Sequence, residues 1–152
     1  MSKTTDIVST PREFLDAVEE RFGPIRWDLA ANKENCVTKD HKFYGPGSYY
    51  CEDSLNIDCQ WGKVNGELLW LNPPFSNIAP FARKSMIERN CNAKIAMLIP
   101  ASVCTSYFND YVRDHAYVFE LTPRPFKREV RDCVLALYTP EGYTGRELWR
   151  WR

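Results

Sequence analysis

The apolar positions of the chain fall into two rhythms. Phe14, Leu15, Val18 and Phe22 recur at helical spacing and make one stripe. Ahead of them, Thr10-Pro11-Arg12-Glu13 carries three start signals: Thr10 as N-cap, Pro11 at the first helical position, and Glu13 closing a capping box. Gly23-Pro24 ends that helix. The second rhythm is a set of short apolar runs that read as buried strands: residues 25–30, Leu68–Leu71, Lys94–Ile99, Tyr117–Leu121 and Cys133–Tyr138. Between them the pattern predicts a helix with Pro80 in its first turn, with Ile78, Ala82 and Met86 on one face, and a short helix over Thr105–Arg113. The last two strands, joined by a basic connection, are expected to pair as an antiparallel hairpin.

Two stretches carry no period. Residues 1–8 are polar and are expected to be loose. Residues 31–56 are rich in Asn, Lys, Gly and Tyr, with Gly45-Pro46-Gly47 as a turn signal. A loop that long in a small domain is usually functional. Elsewhere strand and helix signals alternate, which argues an α/β three-layer sandwich with a mostly parallel sheet. At 152 residues the chain is expected to be a single domain, able to bury about two-thirds of its unfolded surface.

Charge narrows the function classes. The formal net charge is zero, which excludes a strongly basic nucleic-acid coat but not a local patch. Residues 121–152 hold seven Lys/Arg (Arg124, Lys127, Arg128, Arg131, Arg146, Arg150, Arg152) against four acids (Glu129, Asp132, Glu141, Glu147). That end is the candidate for meeting phosphate, although charge runs are commonly just solvated surface. Six cysteines occur with no Cys-x-x-Cys pair, so reduced thiols are expected. A zinc set of Cys36, His41, Cys51 and Cys59 fits no usual spacing, and no metal is expected. With neither a membrane-length apolar run nor a signal-peptide pattern, a soluble cytoplasmic protein is expected.

The most specific signal is Asn72-Pro73-Pro74-Phe75, directly after the run Leu68–Leu71. Two prolines have no N–H to donate, so a central strand stops there. The C-terminal edge of an open α/β sheet is where ligands bind. An Asn oxygen and a proline carbonyl both accept hydrogen bonds from an amino group, and a flat ring beside them stacks on a heterocycle. The plain structural reading is an Asn-Pro-Pro turn with a core Phe.

Asn-Pro-Pro-Phe resembles the catalytic motif of amino-methyltransferases that use S-adenosylmethionine, above all the phage and prophage DNA adenine-N6 methyltransferases. Thr10-Pro11, Trp27-Asp28-Leu29-Ala30-Ala31, Asp53-Ser54-Leu55 with Trp61, Leu98-Ile99-Pro100-Ala101 and Arg124-Pro125-Phe126 add ordered matches over residues 9–138. The resemblance implies a Rossmann-like methyltransferase fold with one antiparallel strand and methylation of adenine N6 in double-stranded DNA. If the gene is phage-borne, the host cytoplasm is the place of action.

Site roles follow from the same resemblance. Asn72 Oδ1 and the Pro73 carbonyl would accept the two amino hydrogens, Phe75 would stack on the flipped adenine, and Pro74 would stand on the substrate side. Asp28 would hold the amino end of S-adenosylmethionine, with small Ala30 allowing close approach. Asp53 would accept from the cofactor adenine, with Leu55 packed near that ring. Thr10 and Pro11 would present helix-start N–H groups to the methionine carboxylate. Arg124, Lys127 and Arg128 would contact phosphates.

One departure stands out: the first strand is followed by no glycine. Trp61 and Trp70 read as core, whereas Tyr44, Tyr49 and Tyr50 are candidates to line the cleft. Two other readings stay open at this point: transfer to another amino group, on an RNA base or a protein glutamine, and a non-catalytic DNA-binding relic. The sequence carries no signature of oligomeric state.

Overall fold

A computed structural model of the chain describes residues 9–63, 67–127 and 131–152. The expectation for residues 1–8 and the candidate phosphate contact Arg128 lie outside the described residues.

Helix α1 (Arg12–Phe22) buries Phe14, Leu15 and Val18. Strand β1 (Ile25–Asp28) follows, then a long irregular segment, a 3-10 turn over Trp61–Lys63, and β2 (Leu68–Leu71). Helix α2 (Ile78–Arg89), β3 (Lys94–Pro100), a π-type turn over Phe108–Val112, β4 (Tyr117–Thr122), β5 (Cys133–Tyr138) and β6 (Gly145–Arg150) complete the order. β2 is buried on both faces, which is why it reads as an unbroken apolar run.

The six strands form one sheet in the order β1-β2-β3-β5-β4-β6. β1 pairs parallel with β2, β2 with β3, and β4 with β6, whereas β5 is antiparallel to both β3 and β4. The sheet is therefore mixed, which corrects the expectation of a mostly parallel one. The cause is the connection between β4 and β5, which is too short for a crossover, so the chain folds straight back. The hairpin expected of these two strands is present.

Each sheet face has its own cluster. Leu69, Leu71, Ile95, Met97 and Ile99 pack with Phe81 and Ala82 of α2 and with Phe108 and Val112. On the other face Leu68, Trp70, Ala96, Leu98 and Leu135 pack with the buried residues of α1, and Trp149 and Trp151 lean on that cluster. β1 was expected to reach residue 30 and stops at Asp28, because the Asp28 carboxylate takes the Ala30 N–H that a longer strand would have used. β6 was not expected from the sequence: its residues are exposed or half-buried on a sheet edge and read as polar. No helix among the described residues is long and apolar enough to cross a membrane.

Candidate active site

A cleft of about 420 Å³ opens where β1 and β2 end, inside the size range of small-molecule sites. One wall comes from strand ends. Asp28 closes β1 and lies in register with Trp70 of β2. Asn72 follows two residues after Trp70, so strand alternation turns both toward the α1 side of the sheet. All three line the cleft.

Asn72 is held from a distance. Its Nδ2 donates to Thr10 Oγ1 at 3.1 Å, across 62 residues of sequence, and Thr10 is itself buried. With the amide nitrogen spent there, Oδ1 is left as the open acceptor. This bond corrects the expected capping box. Pro11, not Thr10, is the N-cap of α1: its carbonyl accepts from Phe14 N at 3.1 Å and Leu15 N at 3.2 Å. Thr10 sits outside the helix, and Glu13 pairs with Arg152 instead.

Asp28 is only 2% exposed. Its Oδ1 accepts from Ala30 N at 3.2 Å and its Oδ2 from Val37 N at 3.1 Å. Burial nevertheless dominates those two donors and pushes its carboxyl up to about 7. The side chain is thus a buried acid poised to ionise fully when a cation arrives.

The opposite wall is loop. Residues 42–45 run beside the end of β1: Asp28 N donates to Lys42 O, Tyr44 N to Asp28 O at 2.8 Å, and Ala31 N to Tyr44 O at 3.1 Å. Gly45 (φ 144°) meets the Ala31 backbone so closely that a Cβ there would stand 1.9 Å from the Ala31 carbonyl oxygen. The missing glycine of the first loop is therefore answered across the gap, by Gly45 approaching a loop of alanines.

Further along, Asp53 Oδ1 accepts from Leu55 N at 3.0 Å, while Asp53 itself lines the cleft. The next residue, Ser54, is buried and takes the Trp61 Nε1–H at 3.2 Å. Lys84 reaches over from α2 and donates to the carbonyls of Ser54, Asn56 and Cys59 at 2.7, 2.8 and 2.7 Å. Burial lowers its pKa, but three acceptors suit the three hydrogens of an ammonium.

Of the residues singled out from sequence, Thr10, Asp28, Ala30, Asp53, Asn72 and Pro74 come together in this cleft. Pro11, Leu55, Pro73, Phe75, Arg124 and Lys127 do not line it. Leu55 packs partly buried against the α2-side core, and Pro73 is buried. Phe75 is half-buried, edge-on to Phe126 at 6.3 Å and beneath the Arg131 guanidinium at 5.0 Å. These contacts bring Phe126 and Arg131 alongside the Asn-Pro-Pro-Phe segment. Lys127 is exposed and Arg124 pairs with Asp132 at 2.9 Å. Of the three tyrosines only Tyr44 lines the cleft. Tyr50 packs edge-on to Trp27, and Tyr49 is 94% exposed.

Sequence reasoning assigned Trp70 to the core, yet it also forms cleft wall, as do Ser54, Glu52 and Phe81. The signal for Trp70 was its position two residues before Asn72 on one strand. Among the described residues no group of three or more His, Cys, Asp or Glu side chains is placed to hold a metal ion, so Cys36, His41, Cys51 and Cys59 are not brought together as a site. The charged residues lining the cleft, Asp28, Glu52 and Asp53, are all acidic. That set fits a cationic ligand, with Tyr44 and Phe81 available to a flat ring.

Comparison with known proteins gives a family. Residues 1–124 match the family described as DNA N-6-adenine-methyltransferase (Dam). A DNA N-6-adenine-methyltransferase of Escherichia phage T1 is 33% identical over 105 residues, covering 69% of this chain and 40% of that protein. One of Haemophilus phage HP1 is 27% identical over 118 residues, covering 77% and 62%. The chain thus spans 40% and 62% of the lengths of these two curated relatives. With the family matched over most of its length, this chain belongs to the DNA N-6-adenine-methyltransferase (Dam) family.

Proposed function

We propose that this chain transfers a methyl group from S-adenosylmethionine to the N6 amino group of adenine in double-stranded DNA, as a single Rossmann-like, three-layer catalytic unit acting in a host cytoplasm. The observation that carries the reading is Asn72, fixed by Thr10 so that Oδ1 is its free acceptor, beside a buried Asp28 in an acid-lined cleft.

S-adenosylmethionine, when bound, supplies an electrophilic methyl on a sulfonium. Everything else falls to the chain. Asp28 takes the ammonium of the methionine part, and Asp53 accepts from the adenine part. Asn72 Oδ1 and the Pro73 carbonyl accept the hydrogens of the target amino group. Those two bonds favour a tetrahedral nitrogen with its lone pair free, because delocalisation into the ring is what makes the amine a poor nucleophile. Asn72 is no base, so the surplus proton leaves to water. The flipped base stacks on Phe75, a contact worth about 1–3 kcal/mol. Exposed Lys127, together with Arg124 and Arg128, meets phosphate, which makes affinity fall with salt.

Calorimetric titration with S-adenosylmethionine, followed by duplex DNA and an assay for N6-methyladenine, tests this. Cofactor binding with methyladenine formed is the expected result. Binding without product on DNA would move the substrate to RNA or a protein glutamine, and no binding would leave a non-catalytic DNA-binding protein.

A further inference from the structure

The segment that follows β1 carries two amides with only half of their hydrogen-bonding capacity used. Asn32 Oδ1 accepts from Glu34 N at 2.9 Å and from Asn35 N at 3.0 Å, while Asn35 Oδ1 accepts from Asn32 N at 2.7 Å. A backbone N–H can be met only by the carbonyl end of an amide, so this reciprocal lock fixes which end of each side chain is left over: the Nδ2 donor. Neither Nδ2 has a partner among the described residues, and neither is sealed from solvent. Both residues are half-buried and line the cleft.

Their place beside Asp28 shows what the donors are for. Residues 30–37 are tied at both ends to the Asp28 carboxylate, by Ala30 N on Oδ1 at 3.2 Å and by Val37 N on Oδ2 at 3.1 Å. The Asn35 amide sits on Asn32 N, which is at most about 7 Å of chain from Ala30 N. An acceptor for a cation and two donors for an anion thus share one short loop. An α-amino acid carries its ammonium and carboxylate on one carbon, so it needs those two kinds of group side by side. Other donors for the carboxylate are lacking or engaged. The cleft lining holds no lysine, no arginine and no residue of α1, and the Pro11 carbonyl takes the first-turn N–H groups of Phe14 and Leu15. The Thr10 and Ser54 hydroxyls are occupied with Asn72 and Trp61.

We propose that Asn32 and Asn35 are ligand-binding residues whose Nδ2 groups donate to the α-carboxylate of the amino-acid end of the bound cofactor, next to the ammonium on Asp28. The inference rests on the S-adenosylmethionine reading above. It moves the carboxylate from the start of α1 to the loop that wraps Asp28.

The test is a titration series with two ligands. Asn32→Asp and Asn35→Asp each keep an oxygen for the backbone lock and replace the donor with a second oxygen. Each is expected to weaken S-adenosylmethionine binding at least about tenfold, the usual scale for a hydrogen bond to a charged group. Decarboxylated S-adenosylmethionine, which keeps the ammonium, should bind within about twofold of wild type or more tightly, because the new carboxylate attracts it. Equal weakening of both ligands would make the two residues structural and overturn the proposal, as would no weakening of either. If the wild type binds neither ligand, the cofactor reading itself fails and this inference with it. Should the variants not fold, isotope-labelled asparagine in the wild type decides. The side-chain amide protons of Asn32 and Asn35 should shift on adding S-adenosylmethionine and should not respond to the decarboxylated ligand; the same response to both would overturn the assignment.

Discussion

The two walls of the cleft are made in different ways. Asp28, Trp70 and Asn72 are set by strand ends, where backbone pairing fixes position and side-chain direction together. Tyr44, Gly45, Asp53 and Ser54 are set by a loop, where shape depends on individual bonds: one glycine pressed against Ala31, an aspartate on Leu55 N, and a lysine gripping three carbonyls. In the proposed function the strand wall presents the reacting groups, and the loop wall gives the cleft its shape. If so, changes on the strand side should act mainly on rate or affinity, and changes on the loop side mainly on stability.

The largest effect is expected at Asn72. Asn72→Ala should cut kcat by at least about a hundredfold, with cofactor affinity and melting temperature near wild type. A loss of stability of the same size would place Asn72 among structural residues and blur the distinction. On the loop side, Gly45→Ala drives a Cβ into the Ala31 carbonyl and should cost about 2 kcal/mol, read by denaturant unfolding. An unchanged midpoint would show that the loop yields easily.

Asp28 offers a pH test. The folded-state carboxyl, raised by burial to about 7 from 3.8, must shed a proton before it can hold an ammonium. Cofactor affinity should therefore rise with pH, by up to about tenfold per unit below that value, and level off above it. The ligand-free fold keeps a proton that the unfolded chain releases, so its stability should fall as pH rises from 3.8 to about 7. Asp28→Asn should weaken binding about tenfold and flatten the profile. A slope that survives in the variant would assign it to another group. The smallest effect is expected at Lys84: Lys84→Met should cost about 1–2 kcal/mol and raise KM more than it lowers kcat.

The same division separates what the sequence revealed from what it hid. Leu68–Leu71 and the proline stop were plain because a strand buried on both faces must be apolar and prolines must end it. Asp28 followed as the acid at a strand end. The loop wall had no such signature. Its contacts are Asx turns and backbone bonds, which leave no period, and Gly45 earns its place from Ala31, a residue fourteen positions earlier. Thr10 was misjudged because a threonine before a helix suits an N-cap, while its actual partner is 62 residues away. β6 was missed because Arg146, Glu147 and Arg150 dilute Leu148 and Trp149. What holds it is parallel pairing with β4 and the tilted and edge-on packing of Trp149 against Phe14, Phe22 and Phe119.

The position of β5 has a consequence for how the chain assembles. β4 is made before β5, yet its two neighbours in the sheet, β5 and β6, both lie downstream of it. As the chain leaves the ribosome, β1, β2 and β3 can pair in turn, but β4 emerges with no strand to join. It must stay unpaired until β5 slots in beside β3, and that interval is when its apolar residues Val118, Phe119 and Leu121 are open to other chains. A nascent chain whose β4 has emerged while β5 has not should therefore be the species that chaperones hold longest.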